Sequence, residues 1–238
     1  MPNWFTLADW FTADEWRAVA LSLRVSLWAT VLSLPLGTYV AHVLARREFW
    51  GKQLLNGLVH LPLILPPVVT GYLLLLAFGR KGFIGQYLDQ WFGLVLAFKW
   101  SGAVLAAAVM AFPLMVRAIR QAFEAVDPKL EQTAGTLGAS PLWVFVTVTL
   151  PLILPGIIAG AVLCFAKAMG EFGATITFVS NIPGQTQTLP SAIYTFLQVP
   201  GGDPQAFRLV LVSIAVAMFA LILSELLSRA VARRIAGR

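Results

Sequence analysis

The chain has 238 residues, of which 58% are hydrophobic and 12% charged, and its mean hydropathy is +0.79. These values exclude a soluble globular protein and indicate an integral membrane protein. Lys and Arg outnumber the acidic residues and give a net charge of +6, but they lie between apolar segments and at the C-terminus, which argues against nucleic-acid binding. One cysteine, Cys164, excludes a disulfide framework and a Cys-based zinc site.

Five apolar stretches are long enough to cross a bilayer as helices, which takes about 20 residues. They cover residues 25–45, 54–78, 94–116, 150–169 and 207–227. Thr12 and Glu15 have the spacing of a capping box, in which a hydroxyl and a carboxylate bond free amides, so we expect the first helix to begin earlier. Five aromatic residues near the N-terminus are typical of a membrane-interface belt: Trp4, Phe5, Trp10, Phe11 and Trp16.

The second stretch carries three prolines, Pro62, Pro66 and Pro67, close together. Each proline removes an intrahelical hydrogen bond and bends the helix. One interpretation is a helix broken beside a cavity, and the alternative is a set of tolerated kinks.

A short helix is predicted between the third and fourth stretches. Asp127 followed by Pro128 is typical of an N-cap and first helical position, and Gly138 suits the left-handed conformation that ends a helix. Such a helix has about ten residues and a length of roughly 15 Å, so it does not cross a bilayer. Ser140 and Pro141 repeat the start signal for the next helix.

The short helix is predicted to be amphipathic. Leu130, Ala134 and Leu137 recur on one face, and the polar residues fall largely elsewhere. Isolated helices of this length are marginally stable in water, so something is expected to pack on it. A protein partner is one interpretation, and an ordinary interfacial connector is the other.

The fourth stretch and the segment after it contain small and polar residues. Gly156 and Gly160 have the spacing that permits close helix packing. Lys167 and Glu171 are four residues apart and are expected to pair on a helix face. Four residues beyond them supply hydroxyl and amide donors: Thr175, Thr177, Ser180 and Asn181.

The distribution of Lys and Arg predicts the orientation, because flanking positive charge is retained on the cytoplasmic side. Ten of the seventeen basic residues lie in segments on one side of the predicted membrane: Arg46, Arg47, Lys52, Arg117, Arg120, Lys129, Arg229, Arg233, Arg234 and Arg238. Residues 1–16 carry acids and no Lys or Arg. We therefore predict an all-α integral membrane protein with five transmembrane helices, an external N-terminus and a cytoplasmic C-terminus.

The stretch 131–151 resembles the cytoplasmic signature loop of ABC importer permeases, which reads Glu-Ala-Ala, three residues, Gly, nine residues, Ile, one residue and Leu-Pro. The matching residues are Gln132, Thr133, Ala134, Gly138, Val148, Leu150 and Pro151. Gln132 stands at the family's glutamate position, and the acid Glu131 lies one residue earlier. The resemblance implies that nine residues couple the chain to an ATPase: Leu130, Glu131, Gln132, Thr133, Ala134, Leu137, Gly138, Leu150 and Pro151.

The resemblance extends over the whole chain. The runs "LPLILPPVVTGYLLLLAFGRKGFIG", "SGAVLAAAVMAFPLMVRAIR", "VDPKLEQTAGTLGASP" and "GEFGATITFVSNIPGQTQTLPSAIYT" are similar to permease subunits of molybdate importers. This implies the type I ABC importer permease fold. Residues 1–16 are then an external or interfacial segment, residues 17–230 a transmembrane domain with its coupling helix at about 128–138, and residues 231–238 a basic cytoplasmic tail.

Family membership also implies the partners and the location. The partners are a second copy of the chain, two cytoplasmic ATPase subunits, an external molybdate-binding protein and the lipid of a bacterial inner membrane, which the chain crosses several times. The sequence has no G-x-x-x-x-G-K-[ST] phosphate loop, so ATP is expected to bind the partner subunit. We expect no cofactor, metal or catalytic residue in this chain.

A doubly charged oxyanion that crosses a region of low dielectric needs donors without a deep charged trap, because tight binding prevents release. The candidate pathway or gate residues are Lys167, Glu171, Thr175, Thr177, Ser180, Asn181, Pro66 and Pro67. The alternative for this segment is a structural role at a helix end.

Three other functions are alternatives to a molybdate permease. A sulfate or tungstate permease is an alternative within the class, because these anions share charge and tetrahedral geometry with molybdate. A secondary transporter predicts inverted repeats and an ionisable relay within the spans, and the sequence offers no convincing example of either. A membrane enzyme is disfavoured because no constellation of nucleophile, base and orienting group occurs.

Overall fold

A computed structural model describes the backbone of residues 11–235 and the side chains of residues 11–230. Across that range the chain is all-helical and has no strand. Its elements are α1 (Ala13–Arg46), α2 (Lys52–Ile64), α3 (Pro67–Phe78), α4 (Gly85–Phe92), α5 (Trp100–Ala125), α6 (Pro128–Thr136), α7 (Pro141–Val144), a π-helical turn (Phe145–Thr149), α8 (Leu150–Met169), α9 (Gly173–Val179), α10 (Leu189–Leu197) and α11 (Asp203–Ile235).

Four helical runs are long and apolar enough to cross a membrane: α1, α5, the continuous run Pro141–Met169, and Asp203–Ala230 of α11. They correspond to the first, third, fourth and fifth predicted stretches. The fourth run starts well before residue 150, because the Ser140 hydroxyl accepts a hydrogen bond from the Trp143 N–H (3.3 Å) and Pro141 occupies the first turn. The start signal that the sequence gives at these two residues is confirmed.

The second predicted stretch is a broken helix. α2 ends at Ile64, α3 begins at Pro67, and the two axes are bent by 114°. Pro66 and Pro67 have no N–H with which to continue the hydrogen bonds of α2, so the chain changes direction there. The prediction of a broken helix is confirmed.

α2 and α3 contact opposite ends of the helix bundle. Near the last residues of α5, the Arg120 guanidinium donates to Asn56 Oδ1 of α2 at 3.2 Å. At the other end, α3 packs on α9, and a Cβ on Gly71 would lie 2.6 Å from the Ala174 carbonyl oxygen. α9 in turn packs on the start of α5, where a Cβ on Gly102 would lie 2.8 Å from Val179 Cγ1. The bent pair therefore leads from one end of the bundle to the other.

α5 is the central helix, packed between α1 and α8. Small residues let the backbones approach closely: a Cβ on Gly156 would lie 2.2 Å from Ala122 Cβ, and one on Gly160 would lie 2.9 Å from Ile119 Cγ1. On the other side, a Cβ on Gly37 of α1 would lie 2.7 Å from a side-chain atom of α5. The packing role predicted for the two glycines of α8 is confirmed.

The first helix begins where its capping box predicts. Thr12 Oγ1 accepts from the Glu15 N–H, and the Glu15 carboxylate accepts from the Thr12 N–H at 2.6 Å. Glu15 is fully buried and also pairs with Arg208 of α11 at 2.9 Å, which joins the starts of the first and last helices. In the predicted aromatic belt, the Phe11 and Trp16 rings are 5.5 Å apart, whereas Trp4, Phe5 and Trp10 lie outside the described residues.

Candidate functional site

The predicted short helix is present as α6 (Pro128–Thr136). The Asp127 carboxylate accepts from the Lys129 N–H at 2.9 Å, as an N-cap does. Leu137 is the C-cap, and Gly138 follows with a φ of +86°, a conformation that costs a residue with a side chain roughly 1–2 kcal/mol. The start and end predicted from the sequence are confirmed.

Glu131 fixes α6 to the helix bundle. Its Oε1 accepts a hydrogen bond of 2.8 Å from Thr149 Oγ1 and lies 3.4 Å from the Arg46 guanidinium. The same guanidinium donates to the Val126 carbonyl oxygen at 3.0 Å, just before α6. Glu131 and Arg46 are only 27% and 16% exposed, so solvent weakens their attraction less than at an open surface. One carboxylate thus connects α6 to α1 and to the π-helical turn.

The opposite side of α6 is open. No residue of the helix is buried. Gln132 and Thr133 are exposed and Ala134 is half-buried. The hydroxyl of Thr133 donates to the Lys129 carbonyl, so it is satisfied within the helix. The exposed surface of α6 is therefore available to another molecule.

Large apolar side chains extend this open surface past the end of α6. Leu130 is 49% exposed, Leu137 84%, Leu142 74% and Trp143 64%. Large exposed apolar side chains are common at interaction sites when they form a patch. The sequence does not predict that Leu142 and Trp143 belong to this surface, because they lie at the start of the next apolar helix.

The end of the signature loop lies inside the bundle. Leu150 packs against the main core, and Pro151 occupies the first turn of α8. Pro151 has no N–H to donate to the carbonyl four residues back, and the adjacent Leu150 N–H donates to the Phe145 carbonyl in the π-helical pattern. Leu150 and Pro151 therefore shape the helix that receives α6 and do not belong to the open surface.

A cavity of about 800 Å³ lies between α1, α6 and the start of the fourth run. His42 lines it, and the imidazole packs against the rings of Phe123 (5.0 Å) and Phe145 (6.1 Å). Glu131 and Gln132 line the same cavity from α6. α1 and α6 therefore face each other across this cavity.

The second group of candidate residues lies at the other end of α8. Glu171 has a side chain only 1% exposed and receives a hydrogen bond of 3.1 Å from Lys167 Nζ. Its Oε1 accepts from the Ala174 N–H at 3.0 Å and caps α9. The pairing predicted from the spacing is confirmed, and the cationic charge of Lys167 is balanced by a buried carboxylate.

The donor groups that follow are largely satisfied locally. Thr175 donates to the Phe172 carbonyl at 2.9 Å and Thr177 to the Gly173 carbonyl at 2.9 Å, both within α9. Ser180 is exposed and has a φ of +66°, which is uncommon for a residue with a side chain. The Asn181 amide donates to Thr195 Oγ1 of α10 at 2.7 Å.

The proline break of the second stretch lies against this group. A Cβ on Gly173 would lie 2.6 Å from Pro67 Cβ, so Pro67 contacts the first residue of α9. Pro66 and Pro67 are themselves exposed. The structure therefore brings the proline break against the start of α9, two residues beyond Glu171, although about one hundred residues separate them in sequence.

Among residues 11–230, no group of three or more His, Cys, Asp or Glu side chains has an arrangement that suits a metal ion. The residues that sequence reasoning missed at the α6 end are chiefly Thr149 and His42, together with Arg46, which it used only as a topology signal. None of them has a local motif. Their role depends on contacts with α6 that form only in the folded chain.

Residues 33–237 match the family model described as "Binding-protein-dependent transport system inner membrane component". The chain is 62% identical to the molybdenum transport system permease protein ModB of Escherichia coli K12, over 95% of this chain and 99% of that protein. It is 58% identical to the ModB protein of Haemophilus influenzae, over 93% of this chain and 96% of the relative.

The chain is also 34% identical to the sulfate transport system permease protein CysT of Salmonella typhimurium, over 92% of this chain and 79% of that protein. Among solved structures, a bacterial ABC transporter involved in the import of alginate matches with a TM-score of 0.72 and 16% identity, covering 92% of this chain and 80% of that chain. The structural match shows a shared fold.

Proposed function

The chain belongs to the family of binding-protein-dependent transport system inner membrane components, and we propose that it is the membrane-spanning subunit of an ATP-driven molybdate importer. It translocates the anion by alternating access. The observation that carries the mechanism is α6, a short capped helix that is open on one side and joined to two membrane helices on the other through Glu131.

Molybdate is the preferred substrate in this proposal. The relatives named for molybdenum transport are 62% and 58% identical to the chain, whereas the relative named for sulfate transport is 34% identical. Tungstate shares the charge and tetrahedral geometry of molybdate and is expected to follow the same route. Uptake of labelled molybdate in competition with sulfate and with tungstate tests the ranking, and equal competition by sulfate would contradict it.

We propose five membrane crossings, with the bent pair α2 and α3 as the second. The N-terminus is then external and the C-terminus cytoplasmic. Basic side chains at the α6 end, Arg46, Arg120 and Lys129 among them, support this orientation. Impermeant thiol labelling of Thr133→Cys tests it, because a cytoplasmic α6 is labelled only after the membrane is opened.

Two ATPase subunits dock on α6 and on the exposed side chains beside it, one for each copy of the chain in a homodimer. An external binding protein delivers the anion at the opposite end. ATP binds the ATPase subunits and not this chain. To move a two-state equilibrium from 1:99 to 99:1 takes about 5.5 kcal/mol of differential affinity, which ATP supplies by favouring the closed ATPase pair.

The contacts of Glu131 transmit a movement of the docked α6 to the membrane helices. When the ATPase moves α6, the carboxylate carries the displacement to Arg46 on α1 and to Thr149 at the π-helical turn. The turn is a weak point of the fourth run, because its hydrogen-bond pattern is less regular than that of an α-helix. The fourth run therefore bends there and transmits the motion to α8.

The pathway or gate lies where α8, α9 and the proline break meet. Glu171 balances the charge of Lys167, so this part of the path has no deep cationic trap for the anion. The rearrangement that opens this end separates α3 from α9 at the Pro67–Gly173 contact. This assignment is independent of the coupling role of α6.

Purification of the chain from native membranes is the first test of the proposal. An importer subunit is expected to co-purify with a stoichiometric ATPase, whereas a secondary transporter purifies without one. Reconstituted vesicles that contain the complex should take up labelled molybdate only when ATP and the external binding protein are both present. Uptake driven by an ion gradient without ATP would contradict the proposal.

A further inference from the structure

An apolar groove of about 760 Å³ opens on the outside of the helix bundle, between α1, α2 and α5. Its walls are almost entirely hydrocarbon. The α1 wall is formed by Trp28, Leu32 and Leu36, which are 45%, 61% and 58% exposed. The α5 wall includes Trp100, Leu105, Ala108, Val109 and Phe112.

The length of the groove corresponds to one leaflet of a bilayer. Trp100 is the first residue of α5 and Phe112 is twelve residues further along, which is roughly 18 Å at the helical rise. Half of a hydrocarbon core of about 30 Å is about 15 Å. At the far end, Leu58, Val59 and Pro62 of α2 line the groove, and α2 contacts the last part of α5 at Arg120. The residues of α2 therefore line the groove near the depth at which a lipid tail ends.

Two cations lie at the mouth of the groove. The Arg24 guanidinium stacks over the Trp100 ring, 3.8 Å from its centroid, one helical turn before Trp28. Lys99 immediately precedes Trp100 and is exposed. In the part of the chain that the structure describes, neither cation is within ion-pair distance of a carboxylate. A tryptophan at the start of a membrane helix is typical of the headgroup level.

We propose that this groove is a binding site for one anionic phospholipid, with its phosphate on Arg24 and Lys99 and an acyl chain along α1 and α5. The groove matches a phospholipid in its arrangement of polar and apolar groups. Two positive charges lie at one end, and beyond them the apolar walls are about as long as one leaflet is thick. A membrane helix from a second copy spans the full bilayer of about 30 Å and is longer than a groove of roughly 18 Å. The inference requires only that α5 crosses the membrane, so it stands apart from the transported substrate.

The test uses the full chain in its purified complex, reconstituted in phosphatidylcholine vesicles that contain a minor fraction of phosphatidylglycerol. The probes are phosphatidylglycerol and phosphatidylcholine, each with a photoreactive diazirine in the acyl chain, and the labelled residues are mapped by mass spectrometry. We expect phosphatidylglycerol to label the groove residues of α1 and α5 in preference to phosphatidylcholine. Arg24→Gln and Lys99→Gln should each lower that preference by roughly fivefold.

Two further variants separate the site from a general effect. Arg17→Gln also removes a positive charge from α1, but Arg17 pairs with Asp14 and does not line the groove, so labelling should be unchanged. Ala108→Trp fills the groove and should remove labelling by both probes while the complex still elutes as an intact assembly. Equal labelling by the two lipids, or an unchanged preference in the Arg24→Gln Lys99→Gln double variant, would overturn the proposal.

The alternative occupant of the groove is a second copy of the chain, and a cross-linking experiment distinguishes it from a lipid. Cys164 is the only natural cysteine and is buried, so Leu32→Cys introduces one accessible thiol in the groove. With lipid in the groove, this thiol should not cross-link two copies. A disulfide-linked dimer through Leu32→Cys would overturn the lipid assignment and make the groove an interface between copies.

Discussion

The Glu131 carboxylate accepts a hydrogen bond of 2.8 Å from the Thr149 hydroxyl, 18 positions further along the chain. Because Glu131 also lies 3.4 Å from the Arg46 guanidinium, α6 has a fixed attachment to the membrane helices on one side and a free surface on the other. A helix that docks a moving partner needs both features, since force applied to the free surface passes through the attachment.

Glu131→Gln should uncouple ATP hydrolysis from transport. The amide keeps the size of the side chain but loses the charge-assisted bonds, which are worth about 1.5–3 kcal/mol when one partner is charged. We expect molybdate uptake per ATP hydrolysed to fall several-fold in reconstituted vesicles, while the ATPase still co-purifies. Glu124→Gln is the matched control, because that glutamate is exposed and pairs with Arg120 of its own helix, and it should leave the ratio unchanged. An unchanged ratio for both variants would remove Glu131 from the coupling route.

Gly138→Val should disrupt coupling through the backbone alone. The φ of +86° is unfavourable for a β-branched residue, although a Cβ there meets no neighbour within 4 Å. We expect a loss of transport-coupled ATP hydrolysis, measured as the stimulation of ATPase activity by the loaded binding protein. Gly135→Ala is a close control, because its Cβ also meets nothing within 4 Å and alanine favours the helix. Normal stimulation in Gly138→Val would contradict the docking role of α6.

Gly156→Val should destabilise the contact between α5 and α8. Its first side-chain atom would lie 2.2 Å from Ala122 Cβ, so the two helices must separate. Overpacking in a core usually costs about 1–3 kcal/mol, and we expect a clear fall in the thermal unfolding temperature of the purified chain. Gly57→Ala, where the new atom meets nothing within 4 Å and alanine favours the helix, should not lower the unfolding temperature.

Lys167→Gln should leave the buried Glu171 carboxylate without its ion-pair partner. The loss of one partner from a buried pair is strongly destabilising, because the remaining charge is not compensated. We expect molybdate uptake to fall at least tenfold, and Lys167→Arg to restore a large part of it. Uptake is normalised to the amount of assembled complex. A purely structural role of the helix end would lower the amount of complex, whereas a role in the gate lowers uptake per complex. Normal uptake per complex in Lys167→Gln would count against the gate.

Much of the fold is encoded in short segments of the sequence. The capping residues Thr12, Asp127 and Ser140 act over three or four positions, and the helices that they begin start where the sequence predicts. The membrane spans can likewise be identified from single segments, because the thickness of the bilayer sets the number of apolar residues that each span needs. The proline break between α2 and α3 follows from the missing N–H groups, but its angle of 114° does not follow from any local pattern of residues.

The attachment of α6 and the contact between α3 and α9 were decided by tertiary structure. Nothing in the sequence pairs Glu131 with Arg46 and Thr149, or places Pro67 against Gly173, because these contacts join segments that meet only after the bundle packs around α5. The same holds for the groove beside Trp100, where residues from three helices form one surface. Local hydrogen bonding and hydrophobicity determine which segments are helical, whereas long-range packing of side chains determines which residues share a site.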